Sequence, residues 1–255
     1  MIKLVDTHIH LSDPEYEPIF NSLEQIINNM NIILIAVSMD KVTSEKTLQI
    51  ANRLRDKVIP FVGIHPWSAK NENLDEFQAF LNKEIDKIMG IGEIGLDKKY
   101  VSDDYSYQLQ KQVFNSLLQI AERYELPVSI HSRNSQSDVF EILTTYNLKS
   151  VLLHWFSGDV KDLSKAINYG YFISFGPSLV YSKKAQMLAK KALKELILTE
   201  TDGPVNYNAC FEGKIGLPTF LPSVIFTLSS ILKMSYNEIA SMIYENSKRY
   251  LLKRI

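Results

Sequence analysis

His8 and His10 stand two residues apart, directly after a short apolar run at residues 2–5 that reads as a β-strand. In an extended chain, side chains at i and i+2 point to the same side, so both imidazoles can reach one ion from the mouth of a sheet or barrel. Neutral imidazole suits a divalent transition metal. A His-x-His pair alone is a common loop feature, and the other histidines give this one its weight. His65 follows an apolar run at 58–62, His131 one at 126–130, and His154 one at 151–153. Glu93 follows the run at 88–91, and Asp202 the run at 196–198. All five histidines of the chain therefore fall at the C-terminal ends of predicted strands, where random scatter would put several on helices.

Such a set permits hydrolysis assisted by two divalent cations. His8, His10 and Asp202 can hold one ion, His131 and His154 a second, and the two oxygens of Glu93 can bridge them. Two ions about 3.5–4 Å apart activate a water and stabilise both the attacking and the departing oxygen. Asp202 can also take the proton from that water, so Asp202 and Glu93 are the expected catalytic residues. Zinc, manganese and magnesium are the candidate metals. The histidine-rich donor set favours the first two, since magnesium prefers oxygen shells. Arg133, two residues past His131, can fork onto a phosphate. Asp6 is expected to orient a histidine or fix a strand end, and Asp97 to fasten a loop. Trp155 can either stack a base or pack the barrel rim.

The elements that must carry these residues alternate regularly. Residues 18–30, 74–86 and 104–124 place apolar side chains three and four apart, as in Leu74, Phe77, Leu81 and Ile85, which predicts helices. Residues 43–55 read as a helix capped by Thr43 or Ser44, and 139–146, 161–168 and 183–193 as further helices. The run at 32–37 is apolar at every position, as a strand buried on both faces must be. Residues 171–175 give a seventh strand. Eight such beats predict an α/β fold, a single-domain (β/α)8 TIM-type barrel over 1–255, closed by helices at 220–232 and 236–252. An open doubly wound sheet is the rival. In a barrel the strand ends converge on one face, where catalytic groups collect.

Composition narrows the partners. With 28 basic and 29 acidic residues the net charge is −1, so no broad basic field grips long polyanions, and any nucleic-acid chemistry rests on a local site. Lys98, Lys99, Lys183 and Lys184 can extend a positive rim, although lysine pairs are usually solvated. Cys210 is the single cysteine, which excludes an internal disulfide and fits a reducing compartment. No signal peptide or membrane span is expected, and the cytoplasm is the simplest location. The sequence carries no signal for oligomeric state.

Six motifs in order resemble the TatD family of metal-dependent deoxyribonucleases, within the amidohydrolase-like barrel superfamily. They are Asp6-Thr7-His8-Ile9-His10, Gly63-Ile64-His65-Pro66, Gly92-Glu93-Ile94-Gly95-Leu96-Asp97, His131-Ser132-Arg133, His154-Trp155-Phe156-Ser157-Gly158 and Glu200-Thr201-Asp202-Gly203-Pro204. The resemblance implies phosphodiester hydrolysis, commonly removal of nucleotides from the 3′ end of single-stranded DNA or RNA. It puts the ligand roles on His8, His10, Glu93, His131, His154 and Asp202, and a contact to the scissile phosphate on His65. Residues 205–216 depart from the family pattern and are expected to line the substrate groove. An alternative is acyl or ester hydrolysis on the same ligands, such as D-aminoacyl-tRNA deacylation. A third reading is a non-catalytic binding module braced by metal. Closed structural zinc sites are often cysteine-rich, and here the lone cysteine lies outside the ligand set.

Overall fold

The computed structural model describes residues 3–101 and 103–253. Its strands are β1 (Leu4–Ile9), β2 (Ile32–Ala36), β3 (Val58–Val62), β4 (Gly90–Asp97), β5 (Val128–Arg133), β6 (Val151–Leu153), β7 (Phe172–Phe175) and β8 (Ile197–Thr199). The helices between them are α1 (Phe20–Asn29), α2 (Lys41–Arg53), α3 (Leu74–Glu84), α4 (Asp104–Arg123), α5 (Gln136–Leu143), α6 (Val160–Asn168) and α7 (Lys183–Lys191). Two more, α8 (Leu221–Leu232) and α9 (Tyr236–Tyr250), follow β8. Neighbouring strands are parallel and follow one another in chain order from β1 to β8. A doubly wound sheet would reverse its order at a switch point. The fold is the (β/α)8 barrel in a single domain.

Burial on both faces explains the unbroken apolar run of β2. Ile32, Leu34 and Ala36 join the layer formed with Leu23, Ile27 and Ile50 of the helices. Ile33 and Ile35 face the other way and meet Phe61, Leu152 and Leu198. Tyr250, at the end of α9, packs its ring near Phe61 and Phe172 and donates its hydroxyl to the Val128 carbonyl at 3.1 Å. The C-terminal helix thus seals one end of the barrel, and the polar strand ends occupy the other.

Where the last strand meets the first, side chains reinforce the backbone hydrogen bonds that run from Asp202 to His8 and from His10 to Gly203. Thr199 Oγ1 donates to the Val5 carbonyl at 2.9 Å, and Thr7 Oγ1 donates to the Thr199 carbonyl at 3.0 Å. Asp6 accepts from the Thr201 N–H at 2.9 Å and from its hydroxyl at 2.5 Å. Asp6 therefore fixes a strand end. It does so from full burial, which outweighs these hydrogen bonds and pushes its carboxyl up to about 7.

Element bounds differ from the sequence expectations in informative ways. β1 runs through His8 to Ile9, and Ile2 lies outside the described residues. β4 continues past Glu93 to Asp97, and β5 past His131 to Arg133, because the two strands go on pairing, Gly95 against His131 and Asp97 against Arg133. Gly95 permits this approach: its φ is 147°, and a Cβ there would lie 2.1 Å from the His131 carbonyl oxygen. Helix α2 starts at Lys41, capped by Asp40, whose carboxylate accepts from the Thr43 N–H at 2.7 Å. Thr43 is the third residue of the helix and the second partner of that capping box, not the cap.

Replacing Thr199 with Val keeps its shape but strips the buried Val5 carbonyl of its partner. The expected cost is about 1–3 kcal/mol in urea unfolding; unchanged stability would show that the seam is held by something else.

Candidate metal centre

The strand ends bring seven polar side chains into one pocket. His8 (β1) and His10, one residue past the strand, place their Nε2 atoms 3.3 Å apart. Glu93 of β4 sits between them and the remaining histidines. Its Oε2 lies 3.3 Å from His8 Nε2 and 3.1 Å from His10 Nε2. Its Oε1 lies 2.7 Å from His131 Nδ1, 2.7 Å from His154 Nε2 and 3.3 Å from His65 Nε2. Asp202 closes the first group, with Oδ1 3.5 Å from His8 Nε2 and 3.4 Å from His10 Nε2. Every one of these residues is buried except His131, which is nearly so.

The outer contacts of the rings decide which nitrogens carry hydrogen. His131 Nε2 lies 2.9 Å from Asp97 Oδ2, so it holds the hydrogen, and Nδ1 turns a lone pair toward Glu93. His8 Nδ1 lies 2.9 Å from the Ser129 hydroxyl, which leaves Nε2 to the pocket. His65 is set the opposite way. The Trp67 backbone N–H donates to its Nδ1 at 3.1 Å, so Nε2 bears the hydrogen and points a donor at the pocket. Distance alone groups His65 with Glu93 and His131 as a metal triad. A ring whose Nδ1 accepts and whose Nε2 donates has no lone pair left for an ion, so His65 is a donor here.

The electrostatics ask for positive charge. Burial alone would raise the Glu93 carboxyl, but the imidazoles of His154, His65 and His8 outweigh it and hold it well below the usual range. Asp202 is depressed too, its burial overcome by the hydrogen bond from His10. Burial opposes charge on His10 and His131 as well. Hydrogen bonds to Asp202 and Glu93 push His10 up to about 10, and those to Asp97 and Glu93 push His131 up to about 9. Burial keeps His8 and His65 down, at about 4. Without a cation, protons fill the gaps between lone pairs that face one another at 2.7–3.3 Å. Divalent cations fit the same gaps. Triads of His8, His10 with Glu93, and of His8, His154 with Asp202, have donor atoms close enough to share one ion.

Around this cluster lie residues that the sequence reading undervalued. Asp97 fastens its loop by accepting from the Lys99 N–H at 2.8 Å, and the same carboxylate holds His131 and accepts from the Trp67 indole N–H at 2.9 Å. Hydrogen bonds from His131 and Trp67 overcome its burial and keep it below the usual carboxylate range. Glu200 lies behind His154, Oε2 being 3.8 Å from Nδ1, and accepts from the Trp155 N–H at 2.8 Å. Burial raises Glu200 to about 8. Two-residue alternation was the available signal for Ser129, which precedes His131 by one full period of β5; Glu200 lies beyond the end of β8 and had no such signal.

The remaining candidates are dispersed. Arg133 ends β5 with its guanidinium over the Tyr100 ring, 5.3 Å from the centroid. Trp155 stacks on Tyr207 at 5.6 Å and packs the rim. Lys98 pairs with Asp138 at 3.0 Å, and Lys184 donates to the Ser157 carbonyl at 2.6 Å. Lys99 lies over Tyr100, and Lys183 and Cys210 are exposed. Residues 205–216 form a short hairpin, Asn206–Tyr207 against Lys214–Ile215, and Tyr207 anchors it by donating to the Thr201 carbonyl at 2.7 Å. Among the described residues no helix is long and apolar enough to cross a membrane.

Known proteins resemble this chain over most of its length. The profile of the family described as TatD related DNase matches residues 5–252. Human deoxyribonuclease TATDN3 is 30% identical over 215 residues, 80% of this chain and 78% of its own. The uncharacterized metal-dependent hydrolase YabD of Bacillus subtilis is 29% identical over 257 residues, 96% of this chain and 98% of its own. The crystal structure of YjjV, a TatD homolog from Escherichia coli K12, has the same fold, with a TM-score of 0.88 at 24% identity over 97% of each chain.

If Asp97 orients His131, Asp97→Asn should weaken divalent-cation binding about 10–100-fold, measured by competition with a chromogenic chelator. Unchanged affinity would reduce Asp97 to a loop fastener.

Proposed function

The chain belongs to the TatD related DNase family, and from that membership we propose a metal-dependent phosphodiester hydrolase that removes nucleotides from the 3′ end of single-stranded DNA or RNA. One observation carries the proposal: the Glu93 carboxylate turns Oε2 to His8 and His10 and Oε1 to His131 and His154. A carboxylate so placed can bridge two cations, the first completed by Asp202. The nitrogen-rich donors favour zinc or manganese over magnesium. Bound there, divalent ions lower the pKa of a coordinated water towards about 7 and offset charge on the attacking and leaving oxygens.

The protein's own groups then divide the remaining work. Asp202 accepts the proton of the attacking water, its carboxyl kept ionised by the His10 hydrogen bond in spite of burial. His65, neutral and held by the Trp67 N–H, donates Nε2–H to a non-bridging phosphate oxygen. Arg133 at the end of β5 supplies positive charge to the phosphate backbone. With a net charge of −1 the chain has no overall positive charge to draw in long duplexes, so binding rests on the local site.

Purified protein is expected to shorten a single-stranded oligonucleotide from its 3′ end, products sized by mass spectrometry, and to stop on addition of chelator. Asp202→Asn and Glu93→Gln should each lower kcat by about 100-fold or more. Full activity in the double variant would refute the assignment. Cleavage of a D-aminoacyl-tRNA ester in place of the oligonucleotide would move the same residues to acyl chemistry.

A further inference from the structure

Beside the cluster lies an aromatic ledge that the proposed hydrolysis leaves unused. Trp67 is 50% exposed, although its indole is held in place, and Tyr100 beside it is 57% exposed. The indole N–H of Trp67 is tied to Asp97, and its ring meets His65 at 4.6 Å and Tyr100 at 4.7 Å between centroids. Both neighbours stand steeply to it, at 77° and 63°, so neither covers it as a stacked partner would. Arg133 in turn lies over Tyr100. A large flat side chain that is fixed yet open to solvent loses little freedom when a second flat group stacks on it. Trp155, by contrast, already stacks on Tyr207.

We infer that Trp67 and Tyr100, with Arg133 beside them, form the subsite for one nucleobase, that of the nucleotide next to the phosphate held by His65. This rests on the phosphodiester reading. The Trp67 ring supplies a stacking face, and because every base has a π-face the subsite recognises the presence of a base, not its identity. Arg133, over the Tyr100 ring, offers its guanidinium to the phosphate of the same nucleotide. Through Asp97, the indole that receives the base is also joined to His131, so the ledge and the cluster share one hydrogen-bonded frame.

Two measurements test the subsite separately from catalysis. In Trp155→Phe protein, Trp67 is the single tryptophan. Its fluorescence should change and saturate on titration with thymidine 5′-monophosphate, and not with deoxyribose 5-phosphate at the same concentrations. An equal response to both, or none to either, would overturn the inference. On an oligothymidylate, Trp67→Ala should raise KM roughly 5- to 100-fold, the size of one lost base stack. On the same oligomer with an abasic terminal nucleotide, KM should not move. Trp67→Phe, which keeps a ring but loses the bond to Asp97, should recover most of the difference. An equal KM increase on both substrates would make Trp67 a support for His131 alone and overturn the subsite. A protein that cuts neither substrate yet shows the base-dependent fluorescence change keeps the subsite and loses the phosphodiester reading.

Discussion

The structure turns on one carboxylate. Glu93 is buried at the centre of five imidazoles drawn from four strands, and an isolated buried carboxylate would be strongly disfavoured. It stays ionised because positive charge surrounds it, and that charge is held in place by the barrel. The lone pairs aimed at its two oxygens cannot stand at 2.7–3.3 Å without a proton or a cation between them. The need for positive charge is thus built into the fold, and the chemistry proposed here uses it.

Holding those imidazoles still requires an outer layer of polar contacts. Asp97 and the Trp67 backbone fix which nitrogen of His131 and His65 carries hydrogen, and Ser129 holds the His8 ring by its Nδ1. The two rings are set in opposite senses: His131 turns a lone pair to the pocket, and His65 a hydrogen. The seam between β8 and β1 belongs to the same layer. Asp6 joins Thr201 to β1, and the Asp202 N–H bonds the His8 carbonyl at 2.9 Å, so the seam sets the distance between the first pair of histidines and their carboxylate. Asp202 itself has a φ of 45°, a conformation costly for a residue with a side chain and kept by the contacts around it.

Much of this was legible in the sequence because period and placement are local properties. The all-apolar run of β2 signalled burial on both faces, and the positions of the five histidines at strand ends announced a common mouth. Strand lengths at β4 and β5 were not legible, since pairing past Glu93 and His131 depends on Gly95 letting two backbones approach. Asp40 was overlooked as the cap of α2 because Thr43, three residues on, has the same local preference. The tautomer of His65 was beyond reach, as it depends on a backbone N–H whose direction follows from the turn after β3. Trp67 had no reading in the sequence, because its partner Asp97 lies thirty positions away in the chain and only the fold brings the two together.

The most direct test is the number of cations each chain holds. Protein stripped of metal, reloaded with manganese or zinc and weighed by native mass spectrometry should carry two ions. Glu93→Ala should carry no more than one, because the shared ligand is gone. A wild-type chain that takes up one ion or none, or a Glu93→Ala chain that still binds two, would contradict the bridging role on which the account rests.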